Sequence, residues 1–102
     1  MNFTKINQIQ NAFLIYVNIK SFDQRNKLDK SFDEFKSLIL SSGLTIQEQR
    51  KISQNTPVIN TFLSKGNLED FKQSISQDEI DIVVINHKLS ASQTRNLEKY
   101  LN

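Results

Sequence analysis

The sequence predicts an α/β fold: a single small layered domain with a mainly parallel four-stranded sheet flanked by about three helices, in the order β-α-β-β-α-β-α. Three observations predict it. The run Phe13 to Ile19 is β-rich and nearly continuously apolar, as a strand covered on both faces by helices must be. Leu28, Phe32, Phe35 and Ile39 recur at helical spacing, with Lys30, Asp33, Glu34 and Lys36 elsewhere on the wheel. Apolar strands and amphipathic helices then alternate along the chain, and parallel sheets with helical crossovers are built this way.

Residues 1–11 are polar and irregular and read as an N-terminal lead-in packed by Phe3, Ile6 and Ile9, ahead of a domain over 12–102. Phe13 to Ile19 is the candidate central strand. After the polar stretch Ser21 to Asn26, the amphipathic helix begins near Leu28 and closes at Gly43, the residue type that most readily ends a helix in the left-handed region. Leu44 to Ser53 is a more polar strand suited to an edge, and Asn55-Thr56-Pro57 breaks it. Val58 to Leu63 reads as a short strand. Lys65-Gly66-Asn67 reads as a turn with Asn67 as N-cap, placing Glu69 and Asp70 in the first turn of a helix whose apolar face is Leu68, Phe71 and Ile75. Ile80 to Ile85 is a buried strand by composition. Ser90 with Gln93 three residues on is a capping box, and it opens a helix with Leu97 and Leu101 turned inward.

The chain has 102 residues, 37% hydrophobic and 24% charged, with seven Phe, so it is rich enough in large apolar side chains to fold and large enough for one core. Its formal charge of +2 is far from the one-signed surface of a protein that binds nucleic acid by charge alone. No Cys is present, which removes disulfides, thiolate metal sites and cysteine nucleophiles together. The apolar runs are too short to span a bilayer, and the N-terminus lacks the pattern of a secretory signal, so a cytoplasmic chain without a membrane span is expected.

Gly43 and Gly66 are the only glycines, and neither a P-loop nor a G-x-G-x-x-G dinucleotide loop can be built from them. His87 is the sole His, so no metal site of recognisable spacing exists. No Ser carries nucleophile-elbow glycines, and no catalytic residue is assigned. What stands out is a pair of βα junctions, Ser64-Lys65-Gly66-Asn67 and Asn86-His87-Lys88 running to Ser90. Ligands of open α/β sheets bind beyond the carboxyl ends of the strands, and parallel strands would bring these two junctions to that one rim. Lys65, His87 and Lys88 would then face a phosphate, with Gly66 letting the backbone come close. Arg95, Asn96 and Lys99 add a cationic strip on the last helix. The alternative is that Gly66 and Asn67 serve a turn and cap, His87 packs locally and the lysines are solvated. Among the aromatics, Tyr16, Phe22, Phe62 and Tyr100 are the candidates for exposure.

Ile82 to Asn102, reading IVVINHKLSASQTRNLEKYLN, resembles the segment D-H-x-L-S-P-x-Q-x-R-N-L-E of the N-terminal α/β domain of HflX-type ribosome-associated GTPases. His87, Leu89, Ser90, Gln93, Arg95, Asn96, Leu97 and Glu98 fall on that pattern. Thr61 to Glu69 resembles the family's T/Y-aromatic-aliphatic-G-x-G-K segment, and the resemblance covers roughly residues 12–102. Asn86 stands where the family usually has Asp, Ala91 where it has Pro, and Ser64 where it often has Gly. The family's GTPase domain falls outside the resemblance, so GTP and Mg are expected only for that domain and no GTP hydrolysis for this chain. The resemblance implies an α/β module that helps seat its protein on the large ribosomal subunit, in a family that splits or rescues ribosomes under stress. The residues that would contact rRNA or phosphate are Lys65, Gly66, His87, Lys88, Ser90, Arg95 and Asn96. Two alternatives stay open: an ATP-binding domain using the same loops, a property also attributed to the family's N-terminal region, and a homodimer formed through an exposed sheet edge.

Overall fold

The computed structural model describes residues 10–22 and 28–101, with side chains from residue 32 in the second stretch. Phe3, Ile6 and Ile9 of the lead-in, and the side chain of Leu28, lie outside the described residues. Six elements follow one another: β1 (Asn11–Ile19), α1 (Leu28–Ser41), β2 (Thr45–Gln54), α2 (Lys65–Gln77), β3 (Ile82–Ile85) and α3 (Ala91–Leu101). The sheet has the order β2-β1-β3, and both pairings are parallel. β1 is therefore central, as its apolar run requires. It begins at Asn11, the last residue of the segment read as lead-in.

The sheet has three strands among the described residues, not the four expected. Val58 to Leu63 does not form a strand. Val58 and Phe62 bond to each other instead, Val58 N–H to Phe62 O at 3.0 Å and Phe62 N–H to Val58 O at 2.8 Å, so the chain reverses through Ile59, Asn60 and Thr61. Phe62 takes φ 70, left-handed for an aromatic residue, while its side chain is buried. The observed order is β-α-β-α-β-α.

Alternation along β1 divides the molecule into layers. Phe13, Ile15, Val17 and Ile19 face α2 and α3, packing with Phe62, Leu63, Leu68, Phe71, Leu97 and Leu101. On the other face Tyr16 meets Phe32 and Phe35 of α1, with ring centroids 5.4 and 6.1 Å apart. Both faces of β1 are thus sealed, whereas β2 alternates exposed and half-buried residues as an edge strand does. β3 is the opposite edge, and no described strand pairs with its outer side.

Helix ends fit the sequence unevenly. Gly43 closes α1 with φ 90, and Ser90 and Gln93 form the reciprocal capping box of α3, at 3.0 and 3.1 Å. For α2 the expected turn is overturned. Ser64 is the N-cap; Lys65, Gly66 and Asn67 are already helical, and the first turn holds no acid. The Asn67 amide donates to Ser64 Oγ at 2.9 Å, one helical turn from the cap position expected for it. No described helix is long and apolar enough to cross a membrane.

Candidate functional site

The carboxyl ends of the three parallel strands, Ile19, Gln54 and Ile85, bring together the segments that follow them. The two βα junctions singled out above are neighbours there: the rings of Phe62 and His87 lie 5.1 Å apart, and the Asn96 amide of α3 donates to Asn60 O at 2.9 Å.

The junction after β3 is anchored to β1 through Val17. Val17 N–H donates to Asn86 Oδ1 at 2.8 Å, and Asn86 Nδ2 donates to Val17 O at 3.3 Å. The Asn86 amide thereby replaces the next peptide of the β1–β3 ladder, one residue past the end of β3. His87 Nε2 lies 2.7 Å from the same Val17 O. A carbonyl only accepts, so Nε2 carries the hydrogen. The imidazole is half-buried between Phe22, at 5.8 Å, and Phe62.

The loop between β2 and α2 is clamped by amide side chains from both flanks. From β2, Gln54 Nε2 donates to Thr56 O at 3.2 Å and Phe62 O at 3.0 Å, while its Oε1 accepts from Ser64 N–H at 2.9 Å. From α3, Gln93 Nε2 donates to Val58 O at 3.3 Å and Ile59 O at 3.2 Å, beside the Asn96 bond to Asn60 O. Gln93 therefore caps its own helix with Oε1 and holds a distant loop with Nε2. Ile59, at the tip of that loop, is 87% exposed.

The seven candidate residues consequently divide. His87, Ser90 and Asn96 have polar atoms engaged in holding the rim together. Gly66 lies within α2 with open space where a Cβ would stand, and Gly43 closes α1 at the opposite end of the sheet, so no glycine loop lines this rim. Lys65, Lys88 and Arg95 are exposed. Lys20 belongs with them although its sequence context gave no signal. It follows the last residue of β1 and lines a shallow hollow with Gln54, Thr56, Val58 and Ser64, an arrangement visible only once β1 and β2 are paired. Of the aromatics considered for exposure, Tyr16 and Phe62 are buried, Tyr100 is half-buried beneath Lys72, and Phe22 is 46% exposed.

Charge is distributed unequally along the strand direction. The described rim segments 18–22, 54–68 and 86–97 contain Lys20, Lys65, Lys88 and Arg95 and not one acid. At the amino end Asp78, Glu79 and Asp81 stand near Asn11, whose N–H donates to Asp81 Oδ2 at 2.8 Å, and segments 10–11, 42–45 and 78–82 contain no Lys or Arg. No group of three or more His, Asp and Glu fit to hold a metal occurs among the described residues.

A family model described as GTP-binding GTPase N-terminal matches residues 29–102. The GTPase HflX of Magnetococcus marinus is 36% identical over 78 residues, which cover 76% of this chain and 18% of that protein. The GTPase HflX of Chlamydia pneumoniae is 32% identical over 75 residues, 72% of this chain and 16% of the relative. That of Caldanaerobacter subterraneus is 29% identical over 76 residues, 72% and 17% respectively. The chain spans less than a fifth of the length of the curated relatives it matches.

Proposed function

Because the chain belongs to the family of GTP-binding GTPase N-terminal domains, of the HflX type, we propose that it is a binding module that seats on ribosomal RNA of the large subunit through the carboxyl rim of its sheet. The observation that carries this reading is that the described rim segments 18–22, 54–68 and 86–97 bear Lys20, Lys65, Lys88 and Arg95 and no acid, set opposite an amino end that bears Asp78, Glu79 and Asp81. Such an arrangement attracts a polyanion to one end and turns the other away, even at a formal charge of only +2. Phosphate contacts position a protein on RNA without reading its bases, and exposed Lys and Arg on a rigid rim suit that task.

His87, Ser90 and Asn96 contribute by fixing the rim's shape, so that the cations are held at set separations before the partner arrives. The test is co-sedimentation of the chain with isolated large ribosomal subunits over a salt series. Binding falls as salt rises, and the triple substitution Lys20→Glu, Lys65→Glu and Lys88→Glu abolishes it. Binding that ignores both salt and the triple substitution overturns the reading.

A further inference from the structure

We propose that Phe22 is a stacking platform for an unpaired RNA base, an inference that rests on the RNA-binding reading of the same rim. Three rings form a graded column from core to surface. Phe62 is buried, His87 is half-buried 5.1 Å from it, and Phe22 stands 5.8 Å beyond at 46% exposure. The only ring that packs against Phe22 among the described residues is His87, edge-on at 65°. A large apolar ring is thus left facing solvent at the end of the sheet whose described segments 18–22, 54–68 and 86–97 carry cations without acids.

Its position is held by the backbone. Lys20 N–H donates to Gln54 O at 2.8 Å, Ser21 N–H to Asn55 O at 3.0 Å and Phe22 N–H to Ile19 O at 3.1 Å. His87, the ring that supports it, is pinned to Val17 O at 2.7 Å. Little ordering is therefore needed when a flat ligand lands on Phe22.

The chemistry of that ligand follows from the neighbours. Lys20 lies two residues before Phe22 and Lys88 follows His87, so the two segments that carry these rings each carry a cation as well. A planar π face joined to phosphate is a nucleotide in a strand, and aromatic stacking with flanking cations is the common means of holding one. Bases inside a duplex have both faces covered, so the platform selects a base that is unpaired or extruded.

The experiment uses the full chain and two RNA hairpins, one with a single extrahelical 2-aminopurine and one with the same base paired. The chain contains no Trp, so the probe's fluorescence is read without interference. The extrahelical hairpin binds about tenfold more tightly than the paired one, with quenching of the probe. Phe22→Ala removes the preference and the quenching but keeps the affinity for the paired hairpin, which also shows that the variant is folded. Phe22→Tyr retains all three. Equal, salt-dependent binding of the two hairpins by the native chain, or a preference that survives Phe22→Ala, overturns the platform and leaves the RNA reading standing. Failure of both hairpins to bind at low salt overturns the two together.

Discussion

Asn86 and Val17 exchange two hydrogen bonds, Val17 N–H to Asn86 Oδ1 at 2.8 Å and Asn86 Nδ2 to Val17 O at 3.3 Å, so that a side-chain amide extends the ladder beyond the end of β3. Replacing Asn86 by Leu leaves the Val17 N–H, in a buried residue, without its acceptor, and we expect a loss of about 1–3 kcal/mol in urea unfolding. Asn86→Asp keeps the acceptor and loses only the longer bond, while His87 continues to serve Val17 O. Its loss is smaller, about 0.5–1.5 kcal/mol. Equal losses for the two variants would show that the amide is not acting as a ladder group.

Gly66 and Gly43 respond to alanine with opposite signs. Gly66 is helical with nothing within 4 Å of a Cβ, so Gly66→Ala raises stability by about 0.5–1 kcal/mol. Gly43 has φ 90, and Gly43→Ala lowers stability by about 1 kcal/mol or more. We expect RNA affinity measured on the same Gly66 variant to be unchanged, since the added Cβ meets open space. A loss of affinity would show that a phosphate comes close to the backbone at Gly66.

Gln93→Glu separates the two duties of that side chain. The carboxylate still accepts from Ser90 N–H, so α3 keeps its cap, but it cannot donate to Val58 O and Ile59 O. Amide hydrogen exchange therefore speeds up in the loop around Ile59 and not in α3. Ser90→Ala does the reverse, removing the hydroxyl that accepts from Gln93 N–H and costing about 1 kcal/mol.

The cationic rim has a signature in salt dependence. Each of Lys20→Ala, Lys65→Ala and Lys88→Ala reduces the slope of log affinity against log salt by about 0.7–0.9 if that lysine meets a phosphate. Lys72→Ala is the control, since Lys72 lies over the Tyr100 ring on the α2–α3 surface, and its slope matches that of the native chain. A slope unchanged by all three rim substitutions would remove the phosphate contacts.

Asn18 Oδ1 is buried with no hydrogen-bond partner among the described residues. Asn18→Val removes the stranded acceptor and favours the strand, and we expect thermal unfolding to report a gain of about 1 kcal/mol. A loss would indicate that the amide supports the rim in some other way.

Much of this architecture was legible in the sequence because two signals agreed at each place. β1 is apolar from Ala12 to Val17 and lies in the middle. β2 alternates and lies at an edge. α3 announces itself by a capping box whose two hydrogen bonds are present. Val58 to Leu63 misled because so short a segment has no period of its own, and its reversal at Asn60-Thr61, closed by the Val58–Phe62 bonds, is held from outside by Gln54, Gln93 and Asn96. The start of α2 was displaced for a related reason: Ser64 and Asn67 are equally good caps by type, and the turn at Phe62 delivers the chain into the helix at Ser64. The rim itself could be anticipated from strand direction, but Lys20 and the support of Phe22 by His87 could not. Both depend on how the ends of β1 and β3 are stitched together.

The parallel order β2-β1-β3 also sets a sequence of events during synthesis. β1, the most apolar segment, is made first, but its Ala12 to Ile15 stretch pairs with Ile82 to Ile85, made last among the strands. At about 5–20 residues per second this edge of β1 waits on the order of several seconds for its partner. The nascent chain is then most exposed to misassociation before β3 emerges, and a chaperone acting at that stage would find its target in Asn11 to Ile19.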